Sequence, residues 1–510
     1  MAKPKSFRPW NPEQTLLLLP PSPVDWLPGN HLVFFLLDLA AELDLEDIYA
    51  VYRQKDPRGE KAYDPRMMVV LLLYAYCVGL PSSRKIEKAC WEDAAFRVLT
   101  GNQQPDHSRI SDFRRCHLNA LAGLFVQVLR LCQKAGLVSL GHVALDGTKI
   151  RANASKHKAM SHERMLKSEK QLEAEMRALL RKAEIIDAQE DGHYGKDQRG
   201  DELPEELQRR SSRLEWIRKA KAELEAEAAA AKAAQRQQQA DAAEQETAEA
   251  EASGDDQASK RAARRGRGAR KRADDAHKLA MEKAEAAGLE LPDITADGAS
   301  DPLAMPSRQL PTDAAGKPKA SAQRNFTDPD SHILKGPEGW IQGYNVQTAV
   351  DGDHQVIVAI GVSNQASDAV HLVPMVERIQ ANTGQLPELL TADAGYCSTT
   401  NLEACEQRGL DAYISTSRQQ HGQRPRPSRG RPPKDLDARG RMDRKLRSKA
   451  GQAIYALRKT VVEPVFGQIK GSRRLDRFLL RGLEQVNGEW ALMATTHNLL
   501  KLFRASLATV

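Results

Sequence analysis

A long polar segment interrupts what reads as one folded domain, and this interruption constrains the fold more than any other feature. Before it, residues 143–145 (VAL) form a short β-like run. After it, residues 343–350 (GYNVQTAV) and 355–362 (QVIVAIGV) flank a turn and predict a β-hairpin. Because composition changes at about residue 154 and strands resume after about residue 324, we interpret residues 154–324 as an insertion.

The elements after the insertion predict an α/β domain. Two helices and two further short strands follow the hairpin, and a basic loop then precedes a last pair of helices. A mixed sheet with flanking helices is the usual solution for this order. The predicted elements are helices 369–381 and 399–408 and strands 389–392 and 412–414. We assign residues 139–153, 325–416 and 452–505 to this domain, and residues 417–451 to a basic Arg/Pro-rich loop insertion.

The insertion itself is predicted to be helical. Apolar residues from Leu172 to Ile186 are spaced 4-3-4-3, and a second series from Leu207 to Leu224 is spaced 7-3-7. These seams suggest an antiparallel coiled-coil hairpin. Residues 225–259 are rich in Ala, Glu and Gln and form either a bare helix or a disordered segment. Residues 260–272 hold eight basic residues and no acid, which fits either a DNA-binding arm or a solvated disordered run.

Residues 1–138 read as an all-α domain. The apolar run at residues 67–80 is too short to span a bilayer and predicts a core helix opened by Pro65. The short helices fit a helix-turn-helix-like DNA reader or a plain packing domain, and we assign a DNA-binding role. The six cysteines form no CxxC pair, and no signal peptide is evident, so we expect a reduced, cytoplasmic protein without membrane contact.

Positive charge is concentrated near the C-terminus. The formal charge of the chain is only +7, but residues 418–481 hold 19 Lys/Arg against 5 Asp/Glu, a difference of +14 (19 − 5). Such a patch predicts a polyanion partner. Within it, Arg429 and Arg431 belong to an Arg-Gly-Arg-Pro sequence, the core of an AT-hook. A sequence-neutral basic arm on phosphates is the alternative that we favour for these arginines.

Three widely separated acids form a candidate phosphoryl-transfer site. Asp146 and Asp393 each close a short apolar run, a favoured position for functional residues in α/β sheets. Glu463 is an isolated carboxylate among cations on a predicted helix. Carboxylates on separate elements can hold two divalent ions for phosphoryl transfer, and Mg²⁺ prefers such oxygen ligands. Gly147 and Gly395 would let DNA approach.

Cations accompany the third acid. Glu463 and Lys470 are seven residues apart and share a helix face. Lys470, Arg458 and Arg473 are predicted to neutralise phosphates, whereas an ion pair with Lys459 would leave Glu463 a purely structural residue. Two further residues bear on this assignment. Pro464 predicts that the helix starts or kinks there, and Glu489 in the following helix competes as the third acid.

Four stretches in this order resemble a DDE transposase of a bacterial insertion sequence. They are residues 144–148 (ALDGT), 343–347 (GYNVQ), 391–396 (TADAGY) and 455–470, with the signature Tyr455, Arg458, Glu463, Lys470. Residues 478–500 resemble the closing helix of the family, and residues 63–138 are similar to the helical domain of one large branch. Related signatures usually place three residues between the arginine and the glutamate, and this chain has four.

The resemblance implies a fold, a site and a reaction. The expected fold is an RNase H-like, five-stranded mixed sheet, and the expected metal ligands are Asp146, Asp393 and Glu463 with two Mg²⁺ or Mn²⁺ ions. Tyr455, Arg458 and Lys470 would contact the transposon end. The implied enzyme cleaves transposon ends and joins their 3′-OH groups to target DNA, as a homodimer or larger assembly on the bacterial nucleoid. The alternatives are a non-catalytic, transposase-derived DNA-binding protein and a structure-specific nuclease.

Overall fold

The fold combines an N-terminal helical region, a mixed sheet and a long helical insertion. The computed structural model describes residues 23–53, 62–194, 205–252, 256–289, 305–313, 315–336, 339–417, 428, 433 and 435–508. Its helices are α1 (Leu32–Leu39), α2 (Glu46–Arg53), α3 (Pro65–Cys77), α4 (Ser83–Glu92), α5 (Ala94–Leu99), α6 (His107–Cys116), α7 (Leu118–Lys134), α8 (His162–Tyr194), α9 (Glu205–Ala252), α10 (Asp256–Ala287), α11 (Leu372–Thr383), α12 (Thr399–Gln407), α13 (Ala438–Arg447), α14 (Lys449–Val461), α15 (Glu463–Phe466) and α16 (Leu483–Ala508). Its strands are β1 (Val143–Arg151), β2 (Ala159–Ser161), β3 (Gln323–Asn325), β4 (His332–Gly336), β5 (Gly339–Asp351), β6 (Ile357–Ser363), β7 (Leu389–Ala392) and β8 (Asp411–Ile414).

The main sheet is mixed, as predicted, but it has six strands rather than five. The path runs β4-β5-β1-β7-β8, and β6 also pairs with β5. The hairpin of β5 and β6 is antiparallel, whereas β7 pairs in parallel with both β1 and β8. The additional strand, β4, pairs with the first residues of β5, which is long enough to take two partners along one edge.

Strand β1 is longer than its apolar run suggested, and this corrects the position of Asp146. An Asp-Gly pair usually marks a turn, but the strand continues to Arg151 because it pairs with β5 along its whole length. Ile150 is buried near its far end. Tertiary pairing therefore overrides the local turn signal, and Asp146 lies within the strand instead of at its end.

The N-terminal helices share one hydrophobic core with the sheet. Helix α3 begins at Pro65, is capped by the side chain of Asp64 and is buried on all sides, as predicted for a core helix. Helix α16 packs against α3, α7 and β6. Helices α6 and α7 follow each other closely and are separated at His117. Among the described residues, no helix is long and apolar enough to cross a membrane.

The insertion contains three long helices. Helices α8 and α9 pack through a small apolar core that includes four of the predicted seam residues, Leu172, Leu214, Ile217 and Leu224. The connection between them, residues 195–204, lies outside the described residues. Helix α10 returns along α9 through alanine contacts. Residues 260–272, expected as an arm or a disordered run, are part of α10, because Ala269 and Ala273 pack against Ala240.

Candidate active site

Asp146 and Asp393 meet where two parallel strands stop pairing. The register of β1 and β7 ends at the pair Leu145–Ala392, and each aspartate is the next residue along the chain, Asp146 still within β1 and Asp393 directly after β7. Asp393 is held by its own turn, since its carboxylate accepts a hydrogen bond from the Gly395 backbone at 2.8 Å. The carboxyl ends of neighbouring parallel strands lie at one edge of a sheet, so this convergence follows from the topology.

The electrostatics of Asp146 reflect this crowding. Burial raises the pKa of Asp146 to about 6, and the negative charge of Asp393 adds to the increase. Arg458 opposes both effects, because its Nη1 donates to Oδ2 of Asp146 at 2.9 Å. The other carboxylate oxygen accepts from the Gly147 backbone at 2.8 Å. Asp146 is therefore a partly buried carboxyl group whose ionised form is stabilised by one arginine.

The signature segment breaks immediately before Glu463. Helix α14 ends at Val461 and α15 begins at Glu463, with Pro464 in its first turn, so the interruption predicted from the proline is confirmed. The Glu463 side chain is 55% exposed, and its Oε1 lies 4.0 Å from Nη2 of Arg458. The additional residue between Arg458 and Glu463 coincides with this break, and Arg458 still lies between Glu463 and Asp146.

Lys470 contacts β1 directly, whereas Tyr455 lies next to Arg458. Lys470 belongs to a π-helical segment, Gly467–Ser472, and its ammonium donates to Oγ1 of Thr148 at 3.0 Å and to the Lys149 carbonyl at 3.3 Å. The Tyr455 ring lies 6.0 Å from the Arg458 guanidinium, and burial raises the pKa of Tyr455. Lys470 therefore contacts β1 two residues after Asp146, and Tyr455 lies near the arginine that binds Asp146.

Four other sequence candidates have different outcomes. Arg473 was expected to neutralise phosphates, but it is only 7% exposed, and its guanidinium donates to Thr496 Oγ1 at 2.8 Å. In that position it supports α16 and is largely shielded from solvent. Arg429 and Arg431 lie outside the described residues. The competing acid Glu489 is fully buried and accepts hydrogen bonds from Tyr76 and from the Leu479 and Leu480 backbones, which is a structural role.

Sequence reasoning missed a fourth carboxylate, Asp368, next to the site. Its Oδ1 accepts hydrogen bonds from Asn345 at 2.7 Å and from Gln347 at 3.0 Å, and Lys149 lies 3.4 Å away. The hydroxyl of the buried Tyr396 donates to Gln347 and extends this network. Asn345 and Gln347 belong to a stretch that carries the family resemblance, and their partner explains why polar side chains occur in a buried strand.

The network lies on the opposite face of β1 from Asp146. Side chains alternate along a strand, so Asp146 and Thr148 face Arg458 and Lys470, whereas Gly147 and Lys149 face Asp368. A Cβ at Gly147 would lie 2.6 Å from Nε2 of Gln347 and 2.9 Å from Oδ1 of Asp368. The alternate positions of Asn345 and Gln347 on one strand were the sequence signal for this network. No pattern in the residues near them indicates that Asp368 is their partner.

The acids offer oxygen ligands without forming a closed metal cage. Within the described residues, no three His, Cys, Asp or Glu side chains are arranged to hold a metal ion. Asp146 and Asp393 nevertheless place two hard oxygen donors together, which suits Mg²⁺ because this ion needs few carboxylates. Glu463 is mainly exposed, so its side chain can reorient towards them.

Comparisons with known proteins identify the family of this chain. Residues 22–116 match a family model described as a transposase domain (DUF772), and residues 318–499 match one described as a transposase DDE domain. Together the two matches cover more than half of the chain, which belongs to the DDE transposases of insertion sequences. No curated protein and no solved structure matches it. Asp393 and Glu463 fall inside the second match, whereas Asp146 lies upstream of the insertion and outside both.

Proposed function

We propose that this chain is an active DNA transposase that cuts transposon ends and joins them to target DNA by metal-assisted phosphoryl transfer. The observation that carries the proposal is the meeting of Asp146 and Asp393 at the end of the β1–β7 pairing, with Arg458 between Asp146 and Glu463. The strand order β6-β5-β1-β7-β8, with β5 antiparallel to β1 and β7 parallel to it, supports an RNase H-like catalytic domain.

Asp146, Asp393 and Glu463 are the proposed ligands of two Mg²⁺ or Mn²⁺ ions. When bound, such ions activate the attacking oxygen and stabilise the leaving oxygen of an in-line displacement. The raised pKa of Asp146 fits this assignment, because concentrated negative charge is what a divalent cation relieves. Arg458 keeps Asp146 ionised, and Lys470 supplies a point charge for a phosphate next to Thr148.

Two displacements make up the proposed reaction. Water first attacks the phosphorus at the transposon end, a new P–O bond forms, and the bond to the 3′ oxygen breaks to leave a 3′-OH. That hydroxyl then attacks a target phosphodiester, loses its proton and displaces the target 3′ oxygen. Neither step needs a covalent bond to the protein, so Tyr455 is assigned to DNA contact and not to nucleophilic attack.

The test uses purified protein, the inverted repeats that flank its gene, and Mg²⁺ or Mn²⁺. Asp146→Asn, Asp393→Asn and Glu463→Gln should each abolish cutting while retaining DNA binding, and Mn²⁺ binding measured by calorimetry should weaken in each. Glu403→Gln changes an exposed acid on α12 and serves as the control. It should cut at the wild-type rate.

Each contrary result points to a specific alternative. Normal cutting by Glu463→Gln would remove this residue from the ligand set. Binding to the repeats without strand scission under any metal condition would favour the non-catalytic DNA-binding protein. Cutting of branched DNA without joining would favour a nuclease. A homodimer or larger assembly on paired ends is expected, and sizing of the protein–DNA complex by light scattering measures it.

A further inference from the structure

We propose that a groove between the insertion and the β2–β3 ribbon binds an unpaired stretch of DNA that continues from the acidic site. The proposal rests on the DNA-processing function above and names a second surface for the same substrate. One wall of the groove is the first part of α9, and the other is formed by residues 157–160 and 324–329, with Arg481 at one end. Its volume is about 990 Å³.

The lining is strongly cationic. Its basic side chains outnumber its acids by six to one, and the acid, Glu223, is already bonded to Arg324 at 2.8 Å. Arg213 and Lys219 have no ion-pair partner among the described residues. The six cations are Lys158, Arg209, Arg213, Lys219, Arg324 and Arg481. A concave surface with this excess of positive charge attracts a polyanion and repels basic protein surfaces.

An exposed tryptophan lies among these cations. Trp216 is 62% exposed and lines the groove between Arg213 and Lys219, which are three residues before and after it on α9. This spacing places all three side chains on one helix face. An indole within a cationic groove is the combination by which proteins bind single-stranded DNA, since bases stack on the ring and cations follow the backbone. In a duplex the base faces are covered by their neighbours, so the tryptophan favours an unpaired segment.

A line of basic residues connects the groove with the acidic site. Lys470 bonds to Thr148, two residues beyond Asp146 on β1. From there Arg474, Arg477 and Arg481 follow at intervals of three or four residues, all exposed, and Arg481 reaches the groove and bonds to the Asn153 carbonyl at 3.0 Å. Arg151 lies three residues after Thr148 on β1, on the order of 10 Å further along the strand. Arg477 pairs with Arg151 of β1, so basic residues accompany the chain from the acids towards the groove, and this is the path that we propose for the DNA backbone.

Binding of a fluorescein-labelled 12-nucleotide single strand to the full-length protein tests the proposal. Anisotropy is measured without divalent ions, so that no cutting interferes. Trp216→Ala should weaken binding roughly 5- to 150-fold, the range for loss of one stacked base. Arg213→Gln should reduce the slope of log affinity against log salt by about 0.7. Trp91→Ala, which removes an equally exposed tryptophan from α4, should leave binding unchanged.

The outcomes separate the groove from the catalytic proposal. Unaltered single-strand affinity in Trp216→Ala, or equal losses in Trp216→Ala and Trp91→Ala, would overturn the groove assignment even in a protein that cuts transposon ends. A larger loss for a matching 12-base-pair duplex than for the single strand would overturn the unpaired assignment. A protein that neither binds nor cuts any DNA would contradict the function itself. Urea unfolding midpoints equal to wild type confirm that each variant is folded.

Discussion

A single missing Cβ shapes the interior face of the candidate site. Any side chain at Gly147 would collide with the amide of Gln347 and the carboxylate of Asp368, because both lie within 3 Å of the Cβ position. Asp368 also borders Gly395, where a Cβ would lie 3.2 Å from its Oδ2. The two glycines next to Asp146 and Asp393 therefore make room for the Asp368 carboxylate.

Asp368 is expected to act as a positioning residue. Asp368→Asn keeps the shape of the side chain but removes the charge that holds Lys149, and it places an amide where an acceptor for Asn345 and Gln347 is needed. We expect the rate of end cleavage to fall by roughly 10- to 100-fold, as for other groups that orient active-site residues. Gel-based cleavage assays at saturating DNA measure the rate.

DNA affinity and fold distinguish positioning from general damage. Asp368→Asn should bind transposon ends as the wild type does, and its cleavage rate should not be restored by higher DNA concentration. Asp353→Asn alters an exposed aspartate in the hairpin turn and should have no effect. Wild-type cleavage by Asp368→Asn, or loss of folding that accounts for the whole defect, would refute the assignment.

At the scale of elements, the C-terminal end of α3 packs closely against Arg473, directly after the π-helical segment Gly467–Ser472. Gly79 ends α3 with a φ of 75°, and a Cβ there would lie 2.4 Å from the Arg473 carbonyl. The buried Arg473 side chain in turn bonds to α16. This contact joins the N-terminal helices to the segment that carries Lys470, so the arginine assigned to phosphate by its charge has a packing role instead.

Gly79→Ala should therefore destabilise the protein more than the same change at a comparable glycine. Gly101→Ala is the matched control, because Gly101 also has a positive φ, 55°, but no atom within 4 Å of its Cβ position. The control should lose about 1 kcal/mol of unfolding free energy from backbone strain. Gly79→Ala should lose about 1–3 kcal/mol more from overpacking, measured by urea denaturation. Equal losses would show that the contact with Arg473 is relieved without cost.

Local patterns predicted the elements that carry their own signal and missed those that depend on a partner. The β5–β6 hairpin, the core helix α3 and the break at Pro464 each follow from a few neighbouring residues. The length of β1 and the presence of β4 depend on pairing with β5, and the helical state of residues 260–272 depends on α9. Asp393 was predictable from its strand, but Asp368 becomes relevant only when two glycines and two amides surround it.

At the scale of the whole molecule, the N-terminal helices and the sheet are joined by shared buried contacts. One hydrophobic core includes residues of the N-terminal helices, of the sheet and of α16. A buried network also crosses this boundary, since Arg114 donates to the Tyr76 hydroxyl at 3.1 Å and Tyr76 donates to Glu489 at 3.2 Å. Burial raises the pKa of Glu489, although Arg114 opposes the increase. We therefore expect these two regions to unfold together.

Lowering the pH should destabilise the folded protein through protonation of His497. This residue on α16 is buried, and its Nε2–H donates to the Gln355 carbonyl at 2.9 Å. Burial lowers the pKa of His497 to about 3, and the positive charge of Arg473 adds to the decrease, whereas the unfolded value is 6.5. Between these values the unfolded chain binds the proton and the folded chain does not. The stability contributed by neutral His497 is therefore complete above pH 6.5 and is lost progressively as pH falls towards 3.

Urea unfolding at a series of pH values, followed by tryptophan fluorescence and circular dichroism, measures this contribution. His497→Gln keeps a donor for the Gln355 carbonyl but cannot be protonated, so its unfolding free energy should fall less steeply below pH 6.5 than that of the wild type. His157→Gln, an exposed change, should follow the wild type. Because one core joins the helical region and the sheet, both probes should report the same transition. An equally steep decline in His497→Gln would exclude His497 as the source of acid sensitivity, and separate transitions would show that the two regions unfold independently despite their shared core.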